Sequence, residues 1–175
     1  GKNGKFETVP YEIDGKVRER LVGYTPSNDI KIWVIIDHLG LMKRENNHTV
    51  KENIDKMINE YAKMLRNICK FTFIIVSQLN RGIKGTDRMK LTGEQLQPQT
   101  EDIKDSASLE ETAHMILAIF NPNTYTHLSH HLGYELKKFD GGYRSLHVIA
   151  SRYTPCPINK SLFFIADTGR FIELY

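Results

Sequence analysis

The chain has 175 residues, 40% hydrophobic and 26% charged, with a net charge of +3 and a pI near 8.8. That balance fits one globular domain with a real core and excludes a disordered or low-complexity chain, while the mild basicity permits an anionic partner without demanding one. No apolar run nears the roughly 20 residues of a membrane span and no signal-peptide pattern opens the chain. No membrane partner is therefore expected, and Cys69 and Cys156, which lack metal-ligand spacing, point to a reduced, cytoplasmic setting.

In chain order, residues 1–30 read as a polar N-terminal segment, with "VPYEIDGKVRERLVGY" alternating around Asp14-Gly15 as a hairpin. Residues 32–36 form a short β-branched run, the type found in strands covered on both faces of a parallel sheet. Residues 48–70 place Val50, Ile54, Met57, Ile58, Tyr61, Leu65, Ile68 and Cys69 on one helical face. Thr49 with Glu52 gives that helix a capping box. A second strand run, residues 71–76, completes a strand–helix–strand unit, which requires parallel pairing. Residues 81–105 read as a long loop. A short helix capped by Ser108 with Glu111 then leads into a strand over 115–120. Three more strands are expected near 144–151, 161–166 and 171–174, the last two joined through Asp167-Thr168-Gly169. The fold class is α/β, a mostly parallel sheet flanked by helices with antiparallel C-terminal strands.

In "KIWVIIDHLGLM" the first apolar run ends in Asp37; the second ends in Ser77 and Gln78. Ligands of open parallel sheets sit beyond the carboxyl ends of the strands, so a carboxylate and an amide there suit hydrated Mg²⁺ and a phosphate oxygen. The plain alternative is that Asp37 caps a turn and Gln78 is merely solvated. His38 beside Asp37 reads as packing or as a nucleotide contact. "THLSHH" clusters His127, His130 and His131 without a carboxylate or cysteine at ligand spacing, so no metal site is expected there.

The series "VIIDHLGLM", "IIVSQLNRG", "DIKDSASLEETAHMILAIF" and "VIASRY" resembles the C-terminal motor domain of DnaB-family replicative helicases. The resemblance runs in order from about residue 31 to the end. "SQLNR" and the D-[LI]-[RK]-[ED]-S-x-S-[IL]-E pattern are its specific parts; an aspartate-ended strand is common to many ATPases. It implies a RecA-like fold of P-loop NTPase type over residues 31–175, ATP and Mg²⁺ as cofactors, and a hexameric homo-oligomeric ring moving on single-stranded DNA. It further implies catalytic roles for Asp37, Gln78 and Arg152. Asp37 is the Walker B aspartate and metal residue, Ser77 and Gln78 face the nucleotide's terminal phosphate, and Arg152 reaches into a neighbour's ATP site. Lys104, Asp105 and Ala107 match the DNA-facing loop.

Departures from the family pattern are specific. Lys104 stands for the usual arginine, Ala107 for glycine, and Ala150 for the lysine two residues before Arg152. Between residues 81 and 105, five basic and five acidic side chains balance, so DNA binding follows from the resemblance and not from charge. No GxxxxGK[ST] string occurs in the chain, and the family's catalytic glutamate has no counterpart. The sheet is therefore expected to be incomplete on its N-terminal side, with the strands over 71–76 and 115–120 showing bare edges. Such edges would be filled by another copy or by the hairpin of residues 9–24. Two readings stand: a fragment of a helicase motor, inactive alone and favoured by the abrupt start, or a non-catalytic RecA-type oligomerisation or nucleic-acid-binding module.

Overall fold

The computed structural model describes residues 4–27, 30–41, 48–79, 91, 96–103 and 107–175. They belong to two compact units, Gly1–Gln78 and Leu79–Tyr175. The architecture is mixed α/β. No helix among the described residues is long and apolar enough to cross a membrane.

The first unit opens with strands β1 (Gly4–Ile13) and β2 (Lys16–Pro26), an antiparallel hairpin. Its turn uses Asp14 and Gly15, both at positive φ (50° and 68°), as a two-residue turn matched to strand twist requires. The hairpin pairs only with itself among the described residues. Leu21 faces Met64 and Ile68 across a shallow depression, and the Tyr24 ring meets Phe71 edge-on at 5.6 Å.

Strand β3 (Trp33–Ile36) pairs in parallel with β4 (Thr72–Ile75), from Trp33 opposite Thr72 to Ile36 opposite Ile75. The crossover between them is helical: α1 (Val50–Lys56), a π-helical stretch (Met57–Ala62) and α2 (Lys63–Cys69). The capping box forms as its residues suggest. Thr49 N–H donates to the Glu52 carboxylate at 2.6 Å, and Glu52 N–H donates back to Thr49 Oγ1 at 3.2 Å. The Thr49 backbone N–H, and after it the Thr49 side chain, hold the Glu52 carboxyl below its ordinary pKa. Ile54, Ile58, Ala62 and Cys69 are the buried face of this crossover, whereas Tyr61, expected on that face, is 49% exposed and Ala62 is buried in its place. Lys70 ends the helix in the left-handed region, φ 60°.

The second unit contains α3 (Ala107–Thr112), β5 (Met115–Phe120), a small hairpin of β6 (His130–His131) with β7 (Tyr134–Glu135), β8 (Tyr143–Ser151), β9 (Ile158–Ile165) and β10 (Arg170–Glu173). The four longer strands form one antiparallel sheet in the order β10-β9-β8-β5. Leu96, Phe120 and Tyr125 centre its apolar core.

Three expectations need correction. A mostly parallel sheet is not what the described residues form: β3–β4 is the one parallel pairing, and β5 joins its neighbour β8 antiparallel. Two-faced burial is also absent. Trp33, Ile35, Ile74, Leu117 and Ile119 are 60%, 67%, 41%, 55% and 54% exposed, because the strands are covered from one side, as their alternating burial shows. Finally, α3 already includes Ser108, so this residue lies in its first turn and does not cap it. Most of the 81–105 loop lies outside the described residues, yet Leu96 within it is wholly buried. A solitary leucine in a polar stretch carries no period that would announce it.

Candidate functional site

The carboxyl ends of β3 and β4 lie side by side because the two strands run parallel in register. The backbone ladder continues past them: Val76 N–H donates to the Ile36 carbonyl at 2.9 Å, and Leu39 N–H to the Val76 carbonyl at 3.3 Å. Leu39 is buried and anchors the turn after β3. Asp37, immediately beyond β3, is exposed, and Ser77 and Gln78, just beyond β4, are half-buried and exposed. Three of the residues singled out in the sequence therefore share one end of the parallel pair.

His38 joins the two strand ends. Its Nδ1 accepts the Gly40 N–H at 3.1 Å, which leaves a neutral ring protonated on Nε2. That nitrogen lies 3.5 Å from the Gln78 side-chain amide. The amide atom facing the ring is Nε2, so His38 Nε2–H donates to Gln78 only with that amide turned to present its oxygen. A Cβ at Gly40 would approach His38 Cε1 to 2.9 Å, so glycine leaves the ring its place. From sequence His38 reads as packing or a nucleotide contact; its approach to Gln78 depends on strand register, which no local pattern encodes.

Arg152 follows β8 in the second unit. Its backbone N–H donates to the His114 carbonyl at 2.9 Å, Nε to the Ala113 carbonyl at 3.1 Å, and Nη2 to the Glu111 carbonyl. The guanidinium thus satisfies carbonyls at the C-terminal end of α3, where a cation also suits the helix dipole. Ala107 is the exposed first residue of α3. Lys104 and Asp105 lie outside the described residues.

The histidine cluster resolves into separate partners. His127 Nε2 sits 3.0 Å from the Leu91 carbonyl, and His130 Nδ1 lies 3.1 Å from Ser129 Oγ. His131 turns inward to Ser145 Oγ at 3.0 Å, and that hydroxyl lies 2.7 Å from His147 Nε2. Tyr143, fully buried, donates to the His131 carbonyl at 3.3 Å and lies 2.8 Å from Ser161 Oγ. Burial, with His147 nearby, pulls the His131 pKa down to about 4. Burial lowers that of His147 too, against a hydrogen bond with Asn159. Among the described residues no group of three or more His, Cys, Asp or Glu side chains is placed to hold a metal. This relay is a polar core; the alternation Tyr143, Ser145, His147 along β8 marks one shared face but not that the face is buried.

A family model described as the DnaB-like helicase C terminal domain matches residues 11–172. A solved structure titled "The Structure Of A DnaB-Like Replicative Helicase And Its Interactions With Primase" superposes with a TM-score of 0.65 at 22% identity. The match covers 85% of this chain and 32% of that one, so the chain spans about a third of the length of that protein. At this identity the likeness is one of fold. No curated protein sequence matches this one.

Proposed function

The chain belongs to the DnaB-like helicase C-terminal domain family, and from that premise we propose that it supplies the phosphate-sensing half of an ATP-driven DNA motor. The observation that carries this reading is the shared strand end, where Asp37 stands beside the His38–Gln78 contact. An exposed carboxylate at a strand tip suits Mg²⁺, which commonly keeps several waters, takes one or two carboxylates and binds substrate phosphates. In this reading Asp37 orients the waters of that ion, while Ser77 and Gln78 meet the terminal phosphate. Bound Mg²⁺ neutralises charge developing on the transferred phosphoryl group.

Beyond the site, the reading extends to assembly. The parallel β3–β4 pair belongs to a RecA-like sheet completed by a phosphate-loop strand that these residues do not contain. Arg152 reaches a neighbouring subunit's nucleotide in a hexameric ring, exchanging the Glu111 and Ala113 carbonyls for phosphate oxygens. Lys104, Asp105 and Ala107 meet single-stranded DNA in the channel. The 175-residue chain alone does not turn over ATP, since its sequence lacks the GxxxxGK[ST] string whose backbone cradles the phosphates.

The test is ATP hydrolysis by the longest natural form of the protein. Asp37→Ala, Gln78→Ala and Arg152→Ala should each lower kcat at least 100-fold, the scale of losing one electrostatic stabiliser of the transition state. Hydrolysis at the parental rate in all three variants would sink the assignment. The second reading, a non-catalytic oligomerisation or nucleic-acid-binding module, is favoured by one observation: the Arg152 guanidinium is engaged by its own chain. It predicts no hydrolysis in the parent form, with assembly intact.

A further inference from the structure

The β1–β2 hairpin sorts its charge by face. Strand alternation and the observed register put Lys5, Glu7, Val9, Tyr11 and Ile13 on one face with Arg20, Arg18 and Lys16. The opposite face carries Phe6, Thr8, Pro10 and Glu12 with Val17, Glu19, Leu21 and Tyr24. The bond from Thr8 Oγ1 to Glu19 Oε2 at 3.1 Å confirms that these two share a side. Counting formal charges, the first face holds four cations and one carboxylate, the second two carboxylates and no cation. Leu21 and Tyr24, which meet Met64, Ile68 and Phe71, belong to the acidic face. The basic face therefore points away from that contact at Lys16 and Arg18, while Arg20, at its inner end, borders the same depression as Met64 and Ile68.

On that outer face Arg20, Arg18 and Lys16 follow one another at alternate residues, about 6.8 Å apart along the strand. All three are exposed, and among the described residues none has an ion pair. Tyr11 lies directly opposite Arg18 and is 41% exposed, flanked by Val9 and Ile13 at 40% and 45%. Glu7, the one carboxylate on this face, sits toward the base of the hairpin, where its Oε1 accepts from Thr25 Oγ1 at 3.0 Å. Asp14 occupies the turn itself. A row of cations beside an exposed aromatic ring and apolar flanks fits a partner that offers both phosphates and base faces.

We infer that the outer face of this hairpin binds single-stranded nucleic acid, with Lys16, Arg18 and Arg20 on the phosphates and Tyr11 stacking a base. The surface gives the DNA partner proposed above a second contact, apart from residues 104–107, and does not depend on the ATP site. A strictly electrostatic partner such as an acidic polypeptide would use the cations but leave Tyr11 idle. A duplex, its bases already stacked, would do the same.

The experiment is fluorescence anisotropy of a labelled oligothymidylate with the 175-residue chain across a salt series, without nucleotide. The triple variant Lys16→Thr, Arg18→Thr, Arg20→Thr keeps strand-favouring side chains and should flatten the slope of log K against log salt by about 2, at about 0.7 per phosphate contact. Lys16→Thr alone, should the triple variant unfold by circular dichroism, should flatten it by about 0.7. Tyr11→Thr should weaken binding about 5- to 100-fold with the slope unchanged. Glu12→Gln with Glu19→Gln, on the other face, should change affinity less than twofold. The inference is overturned by any of four results: no binding by the parent chain, slopes unmoved by the cation variants, duplex or polyglutamate bound as tightly as the oligonucleotide, or loss confined to Lys104→Ala. The last would leave the family reading of the loop standing while removing the hairpin from it.

Discussion

The strand ends of the first unit and the polar core of the second place similar side chains in opposite circumstances. Asp37 and Gln78 are exposed, and His38 connects them without closing them off. His131, Ser145, His147, Tyr143 and Ser161 satisfy one another inside the second unit, with Tyr143 and Ser145 wholly buried. His131, its pKa pulled down to about 4, lies in this core and not at the candidate site. A perturbed pKa marks a functional site only where the group can meet a ligand. Here burial accounts for the shift, and the histidines, serines and Tyr143 meet one another, while Asn159 Oδ1 opposite His147 is buried without a hydrogen-bond partner among the described residues.

The sharpest way to break that contrast is truncation. Tyr143→Ala should cost about 3–5 kcal/mol in the unfolding of the second unit, since it empties a fully buried aromatic site and removes two hydrogen bonds. Trp33→Ala, at a position 60% exposed, should cost under 1 kcal/mol by the same urea titration, as surface substitutions do. Equal costs would mean that the core of the second unit is not where its stability resides.

Acid gives the next largest effect. Because the folded-state pKa of His131 is depressed to about 4, neutral His131 favours folding above its unfolded value near 6.5. That stability is lost as pH falls from about 6.5 toward 4, and His147 acts in the same direction. The loss for His131 is on the order of 3 kcal/mol at pH 4, at about 1.4 kcal/mol per unit. Urea midpoints followed from pH 7 to 4 should fall accordingly, and His131→Gln should flatten the decline. An unchanged pH profile in that variant would place the acid sensitivity elsewhere.

The smallest effect sharpens the role of Arg152. Arg152→Ala should cost about 1 kcal/mol, the usual worth of a net hydrogen bond or two at a helix end. Amide exchange should accelerate over α3 and leave β8 and β9 protected. Uniform exchange throughout the unit would show that the guanidinium does not hold the end of that helix.

Much of the local structure is legible without coordinates. Thr49 and Glu52 announce the start of the crossover helix, the spacing of Ile54, Ile58 and Cys69 announces its buried face, and Asp14-Gly15 and Gly169 mark turns. The strand over 115–120 is found as β5 over those same residues, and that near 161–166 begins earlier, at Ile158. These signals are legible because each is set by backbone conformation or periodicity within a few residues. The adjacency of Asp37 with Ser77 and Gln78 was legible one step further, since a helical crossover between two apolar strands forces them parallel.

What lay beyond reach were the partnerships made across the chain. Nothing near residue 115 says that β5 will lie antiparallel to β8, nor that the outward residues Leu117 and Ile119 will stay exposed. Serine and histidine on β8 read as polar until Tyr143, His131 and Ser161 are seen around them. The amino-acid order by itself determined where helices, turns and strands begin, which family pattern the chain carries, and which side chains stand at strand ends, because those depend on neighbours three or four residues away. Tertiary structure alone decided which polar groups are saturated in a core and which are left to a ligand, and which face of the hairpin looks outward. Hydrogen-bond satisfaction and burial are properties of space around a residue, and residues distant in the chain fill that space.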